Sequence, residues 1–248
     1  MIPLHLLDLK KNTVDRCIYM KVSGCKFIFL ILYVDDILLA SSDLGILHET
    51  KKFHSKNFEM KDMDEATFVI GIEIFRDRSR GILGLSQKAY TERVLERFKM
   101  ENCFASVAPI QIGDKFYLMQ CPQNELERKQ LEEIPYASAV GSLSYAQTCI
   151  RPNISFAVGM LGRCLSNPGM DHWKVTKKVM RYLQGTKDFM LTFKRSNSLE
   201  VIGYLDSNFA GCIDSRKSTV GYLFMLSWRS NIMEKCEANY HCFIHYGS

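Results

Sequence analysis

The chain has 248 residues, 47% hydrophobic and 24% charged, with a formal net charge of +5. That is an ordinary globular composition, long enough for one large or two smaller cores, and it excludes collagenous, disordered and low-complexity classes. The mild positive charge permits contact with a polyanion without marking a dedicated nucleic-acid module. Nine cysteines, odd in number and without a Cys-x-x-Cys pair, argue against a disulfide framework and for a reducing, intracellular and cytoplasmic setting. No apolar run reaches about 18 residues, so no membrane-spanning helix is expected. Met1–Leu9 lacks the basic start and small-residue cleavage site of a signal peptide.

In chain order, Cys17–Gly24 partly alternates apolar and polar residues and predicts a strand ending in a glycine turn. Phe27–Ala40 follows as FIFLILYVDDILLA, two apolar runs flanking Asp35 and Asp36. Each run has strand length and is rich in Phe, Ile, Val and Tyr, so the pattern predicts a buried hairpin with both acids at its tip. Two adjacent carboxylates repel, and a hard divalent cation such as Mg²⁺ relieves that conflict. An acidic surface turn would show the same residues. Asp43 is placed to cap a helix carrying Ile46, Leu47, Thr50 and Phe53 on one face.

Thr67–Phe75 reads as a strand, followed by a charged turn holding Arg76, Arg78 and Arg80 around Asp77. Ser86 is the expected N-cap of a helix to about Met100, with Tyr90, Val94, Leu95 and Phe98 on its buried side. Residues 105–130 read as an irregular connector. Helices near 136–149, 153–165 and 171–184 follow, separated by Arg151-Pro152 and Asn167-Pro168-Gly169. The third turns Trp173, Met180 and Leu183 inward and carries Lys174, Lys177, Lys178 and Arg181, a face for phosphates or simply for water. From Phe189 the pattern changes to strands: Phe189–Phe193, Leu199–Asp206 and Ser218–Leu226.

Tyr33-Val34-Asp35-Asp36, within LYVDDILLAS, resembles the Tyr-x-Asp-Asp motif of reverse transcriptases, and its flanks resemble the copia-type LTR retrotransposon branch. The resemblance continues in FEMKDMDEATFVIGIEI (Phe58–Ile74), LSQKAYTERVLERF (Leu85–Phe98) and PYASAVGSLSYAQTCIRPNISFAV (Pro135–Val158). It extends through DHWKVTKKVMRYLQGTKD (Asp171–Asp188) and SRKSTVGYLF (Ser215–Phe224), in the family's order across roughly residues 12–230.

The resemblance implies an α/β fold: a partial polymerase palm with an antiparallel sheet over 1–76, and mostly helical thumb and connection segments over 77–188. A truncated RNase H-like start over 189–230 and a non-family tail over 231–248 complete it. The implied activity is RNA-directed DNA synthesis by two-Mg²⁺ nucleotidyl transfer, with RNA template, DNA primer and deoxynucleotides as partners. Asp35 and Asp36 would hold Mg²⁺, with Tyr33 and Val34 beside the primer terminus. Gly71, Ile72 and Glu73 would belong to the primer grip, and Lys174, Lys177, Lys178 and Arg181 would contact nucleic acid. Lys61 falls where the family sometimes has a proton donor, although a surface lysine reads the same.

Asp206 takes the position of the first RNase H metal ligand, with Asn208 where a second acid is usual. In the family another palm aspartate lies far upstream of the hairpin. Asp8 stands too close in sequence to replace it, so that aspartate and the fingers are expected to be absent. The isolated chain is therefore expected to be inactive; the alternative is a non-catalytic nucleic-acid binder or a degenerate transposon remnant. Truncation through sheets would also leave unpaired edges. In the tail, Cys236, His241, Cys242 and His245 have no common zinc spacing. Oligomeric state is not legible.

Overall fold

A computed structural model describes residues 8–111, 114, 116–195, 201–208, 218–226, 231–235 and 246–247. The chain divides into two compact units, residues 1–66 and 67–248. Both combine antiparallel sheets with helices, and the described residues contain six α-helices.

In the first unit, β1 (Lys10–Lys11), β2 (Ile18–Ser23), β3 (Lys26–Tyr33) and β4 (Asp36–Ser41) form an antiparallel sheet in that order. Side chains alternate across a strand, so β3 sends Ile28, Leu30 and Leu32 to one face and Phe27, Phe29 and Ile31 to the other. Helix α1 (Leu44–Asn57) covers the first face: Ile28 and Leu30 are fully buried, with Tyr19, Ile37, Leu39, Ile46 and Leu47 packed around them. Each such residue withdrawn from water contributes about 1.5–3 kcal/mol. The uninterrupted apolar run of β3 thus serves two faces. On the second, Phe27 lies edge-on to Phe29 with ring centroids 5.5 Å apart.

Asp43 caps α1 as expected, accepting the Ile46 amide proton at 3.1 Å. Its carboxyl is held below the usual carboxylate range by the hydrogen bond from Lys26, 2.7 Å away, and by the Ile46 N–H.

In the second unit, β5 (Phe68–Val69), β6 (Ile72–Asp77), β7 (Ile82–Ser86), β8 (Phe189–Lys194) and β11 (Asn231–Lys235) form an antiparallel sheet ordered β11-β8-β7-β6-β5. A three-stranded sheet joins β9 (Val201–Asn208), β10 (Thr219–Leu226) and β12 (Tyr246–Gly247) with β10 central. The strands expected to open an RNase H-like sheet therefore divide: β8 extends the β5–β7 sheet, and β9 pairs with β10.

The helical core comprises α2 (Lys88–Arg97), α4 (Tyr136–Cys149), α5 (Ser155–Gly162) and α6 (Met170–Gly185), with the short α3 (Glu125–Glu132) before α4. On α4, Tyr136, Ala139, Val140, Leu143 and Ala146 repeat at helical spacing and all are buried. They meet Leu95 of α2, Ala157, Val158 and Leu161 of α5, and Val179, Met180 and Leu183 of α6. Pro152 occupies the first turn of a 3₁₀ segment (Pro152–Ile154), where its missing N–H costs no helical hydrogen bond.

Three expectations are corrected. The N-cap of α2 is Gln87, one residue after Ser86; the Ser86 hydroxyl still accepts the Lys88 amide proton at 3.2 Å. The segment Thr67–Phe75, a single strand by its pattern, is a tight hairpin, as the resemblance implied for Phe68–Ile74. The connector contains α3, whose N-cap Asn124 accepts the Glu127 amide proton at 2.8 Å.

Described residues between Glu101 and Gln120 touch α6 near both of its ends. The Gln184 amide donates to the Glu101 carbonyl at 2.7 Å, and the Ser106 N–H donates to the Arg181 carbonyl at 3.2 Å. Further along, Phe116 stacks on His172, and the Gln120 carbonyl lies against Gly169.

Candidate metal and nucleic-acid sites

The β3–β4 hairpin closes in the tightest way available. Tyr33 pairs with Asp36, leaving Val34 and Asp35 as a two-residue turn. Val34 has φ of 51°, the left-handed region, which costs a β-branched residue roughly 1–3 kcal/mol. Strain of this kind persists only where the flanking strands over-determine the turn, and here six consecutive register pairs do so. The result projects two adjacent carboxylates from the end of a rigid ribbon. From Ile28 to Leu32 and from Ile37 to Leu39 the strands are half-buried or buried, but Tyr33, Val34, Asp35 and Asp36 are all exposed, with Val34 at 87%. The buried setting expected for the acids is thus confined to the strands behind them. A two-residue turn has no room to fold its own residues into the sheet.

Asp8 does not approach this tip. Lys10 and Lys11 pair with Met20 and Tyr19, which in turn face Phe29 and Leu30. Moving back from Lys10 to Asp8 therefore leads along the sheet away from Tyr33, and from Phe27 to Tyr33 alone is about 20 Å at strand rise. Among the described residues no group of three or more His, Cys, Asp or Glu side chains is placed to hold a metal. Two hard carboxylate oxygens on one tip nonetheless fit a Mg²⁺ ion, which is commonly held by one or two carboxylates with substrate phosphates and waters completing its shell.

Gly71, Ile72 and Glu73 lie at a second hairpin, in the other unit. Val69 pairs with Ile72, so Ile70 and Gly71 form the turn, with φ of 52° and 71°. Positive φ at both central residues is the signature of a type I′ turn, whose twist suits a two-residue hairpin. Glycine adopts it freely and isoleucine does not. The tip is held from outside: the Tyr145 hydroxyl of α4 donates to the Ile70 carbonyl oxygen. The Tyr145 ring packs on Tyr90 of α2 at 4.8 Å, and the Tyr90 hydroxyl donates to the Ser142 carbonyl at 3.1 Å. Tyr145 was not singled out in the sequence. Its only signal there is a polar-tipped aromatic beside Leu143 and Ala146, on the border of the buried stripe of α4.

The four basic residues of α6 do not behave as one face. Lys178 pairs with Asp114 at 2.7 Å and also donates to the Gln111 side chain at 3.0 Å, with only 15% of its side chain exposed. For Asp114, burial alone would raise the carboxyl pKa; the Lys178 hydrogen bond and the Gln111 N–H outweigh it and leave the group lowered. Lys174 pairs with Asp171 one turn back at 2.7 Å. Lys177 lies over the Trp173 ring at 5.8 Å, and Arg181 is exposed. Lys61 is exposed in the segment before β5. The Asp77 carboxylate accepts the Ser79 hydroxyl at 2.6 Å and the Arg80 amide proton at 3.0 Å, organising the charged β6–β7 turn.

The backbone of Asp206 lies in β9 opposite Gly221. Its side chain, the Asn208 side chain and the Cys236, His241, Cys242, His245 group lie outside the described residues. Cys17, Cys25, Cys103 and Cys149 are free thiols. Among the described residues no helix is long and apolar enough to cross a membrane.

Residues 2–112 match the family described as reverse transcriptase (RNA-dependent DNA polymerase). The chain belongs to that class and carries the reverse transcriptase domain of copia-type transposon Pol polyproteins.

It is 43% identical, over 92% of its length, to the retrovirus-related Pol polyprotein from transposon TNT 1-94 of Nicotiana tabacum. It is 33% identical, over 87% of its length, to that from transposon RE2 of Arabidopsis thaliana. The chain spans 18% and 15% of those two polyproteins. An uncharacterized mitochondrial protein of Arabidopsis thaliana is 31% identical over 80% of this chain and 78% of its own length. No solved structure matches.

Proposed function

We propose that this chain carries part of the centre for RNA-directed DNA synthesis, with Asp35 and Asp36 as the carboxylates that hold Mg²⁺. One observation carries the reading: two adjacent acids stand exposed at one hairpin tip, Asp35 in its strained two-residue turn and Asp36 at the first pair of β4, held by the strands behind them. When bound, the ion would neutralise phosphate charge at the reacting oxygens. The chain's own residues orient and bind. Tyr33 and Val34 offer apolar surface beside a primer end, while Gly71, Ile72 and Glu73 present a backbone turn to the primer strand. RNA template, DNA primer and deoxynucleotides are the partners. Asp206, in β9, is the corresponding acid of an RNase H centre.

A second reading is favoured by the acid count. Among the described residues no third acid joins Asp35 and Asp36, and losing one such electrostatic element typically lowers a rate about a hundred-fold or more. In that reading the chain binds nucleic acid without turnover.

Primer extension on an RNA template with Mg²⁺, comparing the chain with Asp35→Asn, separates the two. Extension abolished by the substitution supports the catalytic reading. Absence of extension from folded protein that still binds the hybrid supports the second. Extension unaffected by Asp35→Asn would remove Asp35 from the centre.

A further inference from the structure

The β5–β6 tip is built against its own preferences. Ile70 holds φ of 52° in a turn position that favours Asn, Asp or Gly, and β5 has only two paired residues. A hairpin this short, on the edge of its sheet, has little internal means of fixing where its tip points. The Tyr145 hydroxyl supplies the missing anchor by donating to the Ile70 carbonyl, a bond spanning 75 residues of sequence. The ring behind that hydroxyl is itself fixed by Tyr90, and Tyr90 by the backbone of α4. A Cβ added to Gly71 would lie 3.7 Å from the Tyr145 hydroxyl, so helix and turn are in van der Waals contact.

We propose that Tyr145 is a positioning residue: it docks the Ile70–Gly71 turn on the helical core and thereby sets the affinity of the tip for the primer strand of an RNA–DNA hybrid. The second half rests on the reading of Gly71, Ile72 and Glu73 as a primer contact; the first stands on this structure alone. The geometry suits the role. The hydroxyl engages the turn carbonyl of Ile70 and leaves the Gly71 backbone to a ligand, and Ile70 remains 38% exposed.

The test is Tyr145→Phe, which keeps the ring on Tyr90 and removes only the donor. Amide exchange within Phe68–Glu73 should rise about five-fold, the effect of losing one neutral hydrogen bond, with the thermal midpoint nearly unchanged. Binding of a fluorescent RNA–DNA hybrid with a recessed DNA 3′ end should weaken about three- to five-fold. Gly71→Ala, which strains the same turn from the other side, should move both readouts in the same direction. Unchanged exchange in Tyr145→Phe would overturn the positioning role. Faster exchange with unchanged affinity would overturn the link to the primer. If the unsubstituted chain binds no hybrid, the primer reading and this link fall together, and exchange alone still decides whether Tyr145 docks the turn.

Discussion

The Arg151 guanidinium donates to the Thr186 carbonyl oxygen at 2.7 Å, and a second guanidinium nitrogen meets the Thr186 hydroxyl. Thr186 is the C-cap of α6, and its carbonyl, which has no partner within the helix, is shared by Arg151 and the Phe189 N–H at 3.1 Å. Arg151 is 1% exposed and precedes the 3₁₀ segment between α4 and α5, so a single buried cation ties the end of α6 to the turn between its two neighbours.

Lysine keeps the charge but not the planar fork, and cannot reach both Thr186 groups with the same geometry. Arg151→Lys is expected to destabilise the fold by about 2 kcal/mol, the scale of a lost hydrogen bond to a charged group. A urea midpoint unmoved by the substitution would show that the fork is not needed.

Gly169 makes a different kind of demand. Its φ of −103° is open to any residue, so conformation does not call for glycine. Space does: a Cβ there would collide with the Gln120 carbonyl oxygen, a backbone atom with no rotamer to change. Gly169→Ala must therefore push the connector off the N-terminus of α6, at a cost of about 1–3 kcal/mol or more. Loss of thermal stability with faster proteolysis between Phe116 and Gln120 is the expected result. Wild-type stability would mean that the connector moves aside freely.

These two sites mark what the sequence could and could not disclose. Partial period-two alternation located β2, unbroken apolar runs of strand length located β3 and β4, and period 3.6 located α1, α4 and α6, with a cap or Pro/Gly break beside them. Asp43 and Pro152 are such marks. The acidic tip was legible for the same reason, since two polar residues interrupt an otherwise unbroken strand pattern. The β5–β6 turn was legible only through the resemblance, which implies a hairpin over Phe68–Ile74, and not from pattern, because its first central residue is isoleucine, a strand former held in a glycine-like angle and bonded by Tyr145, far along the chain. Helix α3 had a readable signal in Asn124-x-x-Glu127, and the Glu127 side chain does return to the Gln123 N–H at 2.9 Å. The Pro and Gly around it masked that signal. No local pattern could show that Lys178 is spent on Asp114.

His172 gives the fold a dependence on pH. It is 1% exposed, its Nδ1 accepts the Gly169 amide proton at 2.8 Å, and Phe116 stacks on it at 6.2 Å. Burial holds its pKa below 6.5, and the neighbouring Asp171 charge only partly opposes this. The folded state thus binds the proton less readily than the unfolded chain. The stabilisation is complete above about pH 6.5 and is lost as pH falls from there through the folded value.

The lowered carboxyls of Asp43 and Asp114 act in a separate window, below about pH 4, where their protonation also removes stability. Thermal midpoints should therefore fall between about pH 7.5 and 5.5, and His172→Gln should flatten that part of the profile. A variant profile parallel to the wild type would place the titrating group elsewhere.

The basic residues of α6 should separate by function. Lys178 and Asp114 form a largely buried pair, and removing one partner leaves the other charge poorly solvated. Lys178→Ala is therefore expected to lower stability while leaving the salt dependence of hybrid binding unchanged. Among the described residues Lys177 and Arg181 have no such acidic partner in the connector, and Arg181 is exposed. If that flank of α6 meets phosphates, replacing both with alanine should weaken binding to all hybrid sequences alike, and lower the slope of log affinity against log salt by about 1 per residue. Stability should barely change. Binding measured across a salt series decides the matter: a slope reduced by Lys178→Ala, and not by the double substitution, would mean that the connector lifts from α6 and that the pair seen here opens on binding.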